Sequence, residues 1–219
     1  GIATVGFTVT AMSLPMMFFY QLARGLTPTQ SALLLIPMAV IAGVLSPVAG
    51  RVLDRVDPRL LLVPGLLLSA IAIFWYSALM HPDTEIWMFL LPSALMGVGQ
   101  AGMWGPLATT ATRNLQPRQA GAGSGIYNTT RQIGSVIGSA VVATVMASRL
   151  AVHLPGASEV STTARGGPAP EFVRAGLAAA MSDALWVPAV VVGASALITL
   201  CFERPRHQVQ ARRAAAAGM

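Results

Sequence analysis

The chain has 219 residues, of which 54% are hydrophobic and only 10% are charged, and its formal net charge is +6. A soluble domain carries roughly 25% charged residues, so this chain has too few polar side chains to cover a water-exposed surface. Every basic side chain is an arginine. The arginines lie mostly in short gaps between apolar segments, which favours the positive-inside rule over nucleic-acid binding as their explanation.

Six apolar stretches are each long enough to cross the hydrocarbon core of a bilayer, which takes about 20 residues in an α-helix. They predict an all-α membrane protein with six transmembrane helices, here called spans 1 to 6. The chain opens directly on an apolar run, without a basic segment or a cleavage motif, so we expect a piece of a longer protein rather than a signal peptide. The predicted spans are residues 5–22, 30–50, 60–80, 86–107, 123–147 and 182–202.

The uneven distribution of arginines predicts the orientation. Nine of them fall after span 2, after span 4 and in the tail, whereas the gap after span 3 has none. The positive-inside rule then places both chain ends in the cytoplasm of a multi-pass protein of the plasma (inner) membrane. The transmembrane bundle is predicted to cover residues 1–203, followed by a basic cytoplasmic tail at 204–219. Residues 148–181, rich in Gly, Pro, Ser and Thr, predict a long external loop with a short helix near 171–180.

Span 1 carries a polar stripe, because residues spaced by three or four share one face of a helix. We expect this stripe to line a substrate cavity in the bilayer. The aromatic run 18–20 at the outer end of the span is typical of an interfacial belt. The residues of the stripe are Thr10, Ser13, Met17 and Gln21.

A short pattern precedes both span 2 and span 5. Thr27, Pro28 and Gln30 fit the N-cap, N1 and N3 positions of a capping box. The same pattern, L-x-P-x-Q followed by two small residues, recurs at 115–121 on the opposite side of the membrane. Two three-helix units of inverted topology would produce this arrangement, and a chance match of seven residues is the alternative.

Span 4 has a second polar face, formed by Ser93, Gly97, Gln100 and Trp104. An amide near mid-membrane is costly in hydrocarbon, so Gln100 must face protein or water. Two interpretations remain open: a helix–helix hydrogen bond, or a cavity wall to which Met103 and Trp104 add adaptable apolar contacts. The candidate cavity residues of this span are Ser93, Gln100, Met103 and Trp104.

Span 5 combines close packing with an unexpected charge. Gly134 and Gly138 form a small-xxx-small motif, which predicts a helix-packing face. Arg131 lies near the start of the hydrocarbon, and we expect its side chain to extend to the cytoplasmic headgroups. Spans 3 and 6 are the most uniformly apolar and predict lipid contact.

The chemistry of a membrane enzyme is not predicted. The three histidines lie in loops or the tail, no Asp or Glu falls in the interior of a predicted span, and no nucleotide-binding motif occurs. Cys201 is the only cysteine, so it can form no internal disulfide. We therefore expect no catalytic residue, no metal site and no cofactor.

Three strings of residues resemble the C-terminal half of the major facilitator superfamily, and within it the 14-helix drug:proton antiporter group. The loop after span 2 is similar to the superfamily's G-x-x-x-D-R-x-G-x-R loop, although Asp57 stands where that motif has glycine. The runs 20–37 and 121–134 are similar to the start of the second helix of that half and to the opening of its penultimate helix. The loop residues that match are Gly50, Arg51, Asp54, Arg55 and Arg59.

The resemblance implies the C-terminal six-helix bundle of a proton-coupled multidrug efflux transporter. Spans 1 and 4 would line the cavity, spans 2 and 5 would face the N-terminal bundle of the same protein, and spans 3 and 6 would face lipid. The substrate would be a small amphipathic compound, cationic ones included. It further implies that Asp54 belongs to a conformational latch; a solvated anchor loop is the alternative.

All eight acidic residues fall in loops or at span ends, with Asp183 just inside the outer end of span 6, so we expect the proton-coupling residue to lie in the N-terminal bundle. Two other functions stay open. One is an exporter of a native metabolite (a lipid, siderophore or peptide) on the same scaffold. The other is a membrane module that docks onto a partner without transporting.

Overall fold

The computed structural model describes residues 1–53, 55–112, 119–155 and 170–200. Six helical segments in this part of the chain are long and apolar enough to cross a membrane, which confirms the predicted all-α membrane fold. Spans 1 to 6 are Ile2–Ala23, Pro28–Leu53, Pro58–Leu79, Ile86–Ala108, Gly121–His153 and Glu171–Thr199. The helices are Ile2–Phe18 with a π-helical turn at Phe19–Ala23, Pro28–Leu33, Ile36–Leu53, Pro58–Leu79, a 3-10 turn at Ile86–Phe89 with Leu90–Thr112, Ala120–His153 and Glu171–Leu200.

The last two spans are longer than predicted. Span 5 continues to His153, and span 6 begins at Glu171, where only a short helix was expected before a start at residue 182. The linker composition ends at Pro170, and the first turns of span 6 are rich in alanine and other helix formers. Ala180 and Met181 from this stretch are fully buried in the bundle. The predicted loop 148–181 is therefore shorter, and residues 156–169, most of the segment left between spans 5 and 6, lie outside the described residues.

The start of span 2 confirms the predicted capping box. Thr27 accepts a hydrogen bond from the Gln30 backbone, and the Gln30 side chain accepts one from the Thr27 backbone. The span then breaks between Leu33 and Ile36, because Pro37 lacks an N–H and its ring would clash with the carbonyl four residues earlier. In the second copy of the pattern, residues 115–118 lie outside the described residues.

Helix packing follows the two-unit arrangement that the repeated pattern suggested. Span 1 packs against spans 5 and 6, and span 4 packs against spans 2 and 3. Exchanging span 1 with 4, 2 with 5 and 3 with 6 maps one set of contacts onto the other. Spans 3 and 6 pack on each other, where Ser77 and Ser182 exchange hydrogen bonds between side-chain hydroxyls and backbone carbonyls at 2.8 and 3.0 Å. Two packed groups, spans 1, 5 and 6 and spans 2, 3 and 4, therefore meet along spans 3 and 6, and each group combines spans from both three-helix sequence units.

The aromatic run at the outer end of span 1 does not form the expected interfacial belt. Phe19 and Tyr20 are 0 and 1% exposed, and only Phe18 faces outward. The Phe19 and Tyr20 rings pack on Phe89 of span 4 at centroid distances of 5.6 and 5.5 Å, and Tyr76 of span 3 stacks on Phe89 from 6.3 Å. The π-helical turn contains both span 1 rings. They stabilise the core at the end of the bundle where span 1 finishes and span 4 begins.

Candidate functional site

The polar stripe of span 1 is accessible, and its members bond mainly to one another. Ser13 is exposed, and its hydroxyl donates to the Thr10 carbonyl at 2.9 Å. Gln21 lies 3.9 Å from the Met17 sulfur, and both side chains are half-buried. Thr10 sits at the edge of the stripe, because its hydroxyl also reaches the Ser135 carbonyl of span 5 at 3.0 Å. Ser13, Met17 and Gln21 therefore offer accessible surface, and the hydrogen bonds described for them stay within span 1.

The candidate residues of span 4 separate into two groups. Ser93 and Met103 are 0 and 1% exposed. Gln100 and Trp104 are half-buried, and the Trp104 indole nitrogen donates to the Gln100 side-chain oxygen. Only Gln100 and Trp104 can thus present surface to a cavity in this conformation.

Ser93 belongs to the interface between spans 2 and 4. Its hydroxyl oxygen lies 3.2 Å from the Met38 backbone nitrogen and accepts its hydrogen bond. One turn further along, a Cβ at Gly97 would lie 2.7 Å from the Met38 carbonyl oxygen. The polar face predicted from the sequence is therefore partly a packing surface for the kinked start of span 2.

The structure adds Arg131 to the predicted residues. Its guanidinium carbon lies 6.0 Å from the centroid of the Trp104 ring, at the outer limit of a cation–π contact. The sequence predicted instead that this side chain extends toward the headgroups. The available signal was that Trp104 and Arg131 lie on two consecutive spans, near the ends that the same connecting segment joins. Periodicity within one helix cannot report such a contact.

Gly134 and Gly138 lie where span 5 approaches span 1 most closely. A Cβ at Gly134 would lie 2.0 Å from the Ala3 carbonyl oxygen, and one at Gly138 would lie 2.5 Å from that of Phe7. A Cβ at Gly6 of span 1 would likewise lie 2.2 Å from the Arg131 carbonyl oxygen. The glycines thus allow backbone-to-backbone contact between spans 1 and 5, and this contact fixes the span 5 backbone at Arg131 against span 1.

The loop after span 2 is described only in part. Asp54 lies outside the described residues, so its predicted latch stays a prediction. Arg51 and Arg55 are exposed and Arg59 is half-buried, while Gly50 has open space beside it. Asp57, which departs from the family motif, caps span 3: its carboxylate accepts a hydrogen bond from the Arg59 backbone at 3.2 Å. A carboxylate at a helix N-terminus is stabilised by the helix dipole, which gives this departure a structural role.

Charged residues at the opposite end of the bundle connect several spans. Asp183 of span 6 lies 3.0 Å from the His153 ring nitrogen and 3.7 Å from the Arg149 guanidinium. Arg24, just after span 1, donates to the Pro82 carbonyl, and Arg174 donates to the Ala23 carbonyl at 2.8 Å.

The environment of Arg24 is tight and positively charged. Burial lowers the pKa of the Arg24 guanidinium, the charge of Arg174 lowers that pKa further, and Asp83 opposes both effects.

Residues 1–150 match the Major Facilitator Superfamily, and the chain belongs to that family. An uncharacterised MFS-type transporter of Mycobacterium tuberculosis is 45% identical over 195 residues, which are 87% of this chain and 34% of that protein. The multidrug resistance protein Stp of the same species is 31% identical over 70% of this chain and 28% of its own length. The tetracenomycin C resistance and export protein of Streptomyces glaucescens is 31% identical over 79% of this chain and 31% of its own length.

These relatives are named as transporters and as resistance or export proteins, and the family places the chain among transporters rather than enzymes. The chain spans about a third of the length of the curated relatives that it matches.

Proposed function

We propose that the chain is the C-terminal six-helix bundle of a proton-coupled multidrug efflux transporter, of the 14-helix drug:proton antiporter group, in the inner membrane. The observation that carries this proposal is the accessible polar surface on spans 1 and 4, in a bundle that leaves spans 2 and 5 largely uncovered. Names of relatives such as multidrug resistance protein and lincomycin resistance protein support a role in drug export. With spans 1 and 4 as one wall, the cavity would be completed by an N-terminal bundle.

The uncovered faces of spans 2 and 5 support a second bundle. The helix Ile36–Leu53 has no buried residue at all. Some glycines on these faces have open space around them, since a Cβ added at Gly43, Gly121 or Gly125 would meet nothing within 4 Å. Lipid chains gain nothing from exposed glycines, whereas small residues spaced by four let a second helix approach closely. A partner helix therefore fits this surface better than lipid does.

The accessible residues suit an amphipathic substrate. Ser13, Gln21 and Gln100 supply hydrogen-bonding groups, and Met17 and Trp104 supply apolar surface that can adapt to different shapes. Ser93 and Met103 would act behind this wall, by fixing the position of span 4. Few directional groups and a soft apolar surface favour broad rather than narrow selectivity.

Energy coupling in this proposal comes from the N-terminal bundle. A coupling carboxylate must be reachable from both sides of the membrane in turn. Within the described spans the acidic residues are Asp183 and Glu171, both in the first half of span 6, and Asp183 is paired with His153 and Arg149. Asp183 is thereby bound to span 5 rather than to spans 1 and 4.

The test uses the full-length protein in liposomes with an imposed pH gradient and a panel of amphipathic dyes that includes ethidium. We expect gradient-dependent movement of several dyes, and we expect Trp104→Ala and Gln100→Leu to change their ranking. Trp75→Ala is the matched control, because Trp75 is an exposed tryptophan on span 3 and belongs to neither polar stripe. Movement of no dye would contradict multidrug efflux and favour a native metabolite as the substrate. An unchanged ranking in both variants would show that Gln100 and Trp104 only pack.

A further inference from the structure

Arg131 and Trp104 bring a positive charge and an aromatic face together from two different spans. The Trp104 indole N–H is already used by the Gln100 oxygen, which fixes the orientation of the ring. The Arg131 guanidinium lies over that ring, 6.0 Å from its centroid. Both side chains are half-buried, so each keeps surface that another molecule can reach.

The two side chains meet at a similar depth for a simple geometric reason. Spans 4 and 5 are antiparallel neighbours in sequence, and each helix rises about 1.5 Å per residue. Trp104 lies eight residues before the end of its helix at Thr112, and Arg131 lies eleven residues after the start of its helix at Ala120. Helical side chains point back toward the N-terminus, so the long Arg131 side chain reaches down to the level of Trp104. The contact therefore lies within the cytoplasmic half of the bundle.

Among the described residues, no carboxylate pairs with Arg131. Both ion pairs found in that part of the chain involve Asp183, near the opposite end of span 5. A guanidinium has five N–H donors, and an aromatic face accepts none of them as a directional hydrogen bond. A charge held at membrane depth is costly, and such residues mark substrate or ion pathways.

We propose that Arg131 and Trp104 form a subsite for an aromatic substrate that carries a carboxylate. The guanidinium donates to the carboxylate oxygens, in the bidentate geometry that arginine favours, and the indole packs on the aromatic part of the substrate. This inference rests on the proposed transport function and names its substrate class. It runs against a preference for cationic compounds, because a cation would approach a fixed positive charge.

The test measures equilibrium binding to the full-length protein in phosphatidylcholine vesicles. The probes are diethylaminocoumarin carboxylate and the matching neutral carboxamide, which differ in charge but hardly in shape. We expect the carboxylate to bind about tenfold more tightly, as for a hydrogen bond to a charged group. Arg131→Gln should abolish this preference with little change for the carboxamide, and Arg131→Lys should keep part of it. Trp104→Ala should weaken both probes.

Two further variants separate charge recognition from stability. Arg149→Gln removes an arginine from the same helix, near its other end, and should keep the preference. Gln100→Glu introduces a negative charge beside Trp104. This charge should repel the carboxylate probe and lower the preference for it over the carboxamide. The variant keeps the test decisive if Arg131→Gln does not fold. Equal binding of the two probes to the wild type, or an equal loss of both in Arg131→Gln, would overturn the subsite.

The source of the anion and the fate of the transport proposal are tested separately. Adding phosphatidylglycerol distinguishes a lipid headgroup from a substrate, since its phosphate offers the same oxyanion chemistry. If phosphatidylglycerol displaces the carboxylate probe but not the carboxamide probe, the subsite binds a lipid headgroup. That result would overturn the substrate assignment. If no dye crosses the vesicle membrane, the transport proposal fails, yet charge-dependent binding would still support the subsite.

Discussion

The side-chain hydroxyl of Ser93 accepts a hydrogen bond from the backbone nitrogen of Met38 at 3.2 Å, and this bond joins span 4 to the break in span 2. Pro37 disrupts the regular helix just before Met38, where the backbone N–H would otherwise bond within the helix. A polar residue that the sequence assigned to a cavity wall therefore supports the backbone of a neighbouring span.

Loss of the Ser93 hydroxyl should destabilise the bundle. In Ser93→Ala the Met38 N–H loses its partner inside the protein, and we expect the free energy of unfolding to fall by about 1 kcal/mol. The measurement is denaturation of the full-length protein in mixed micelles by a denaturing detergent. Ser13→Ala is the control, since Ser13 is exposed and bonds only within its own helix. Equal effects of the two substitutions would contradict the assigned role of Ser93.

Adding a methyl group at Gly134 should separate spans 1 and 5. The new Cβ would lie 2.0 Å from the Ala3 carbonyl oxygen, and this backbone atom cannot move alone. We expect Gly134→Ala to cost about 1–3 kcal/mol or more, as overpacking does. Gly193→Ala is the matched control, because its Cβ would meet only the Ala70 methyl at an ordinary 3.8 Å. Thermal unfolding in detergent compares the two variants, and a Gly134→Ala protein as stable as the control would contradict a tight contact between spans 1 and 5.

The orientation in the membrane can be read by cysteine labelling. Arg55 follows span 2 and His81 follows span 3, and both are exposed. In a Cys201→Ala background, a membrane-impermeant thiol reagent should label His81→Cys in intact cells, and Arg55→Cys only after permeabilisation. The opposite pattern would reverse the proposed topology.

Removing the charge of Asp183 should leave energy coupling intact. Its carboxylate, in the first half of span 6, is held by His153 and Arg149 near the end of span 5, and these partners keep it on one side of the bundle. We expect Asp183→Asn to keep gradient-driven dye movement in vesicles, with some loss of stability. A variant that binds dye normally but no longer responds to the pH gradient would place a coupling residue in this chain.

The sequence by itself determined the number of spans and the start of span 2. A run of about 20 apolar residues has little alternative to a transmembrane helix, because every backbone group must be satisfied internally in lipid. The capping box at Thr27 and Gln30 is equally local, since it involves residues three apart. The beginning of span 6 at Glu171 was not predicted, because burial of its first turns against other spans compensates for their weaker hydropathy.

Only the tertiary structure decided which face of each helix meets which neighbour. In a chain whose spans are nearly all apolar, polarity does not distinguish a buried side from a lipid-facing side. Spacing alone grouped Ser93 with Gln100 and Trp104, yet packing against span 2 buries the first and leaves the other two accessible. The contact of Arg131 with Trp104 depends in the same way on the distance between two helices. Gly6 and Gly134 act on another side of span 5, where they let its backbone touch that of span 1.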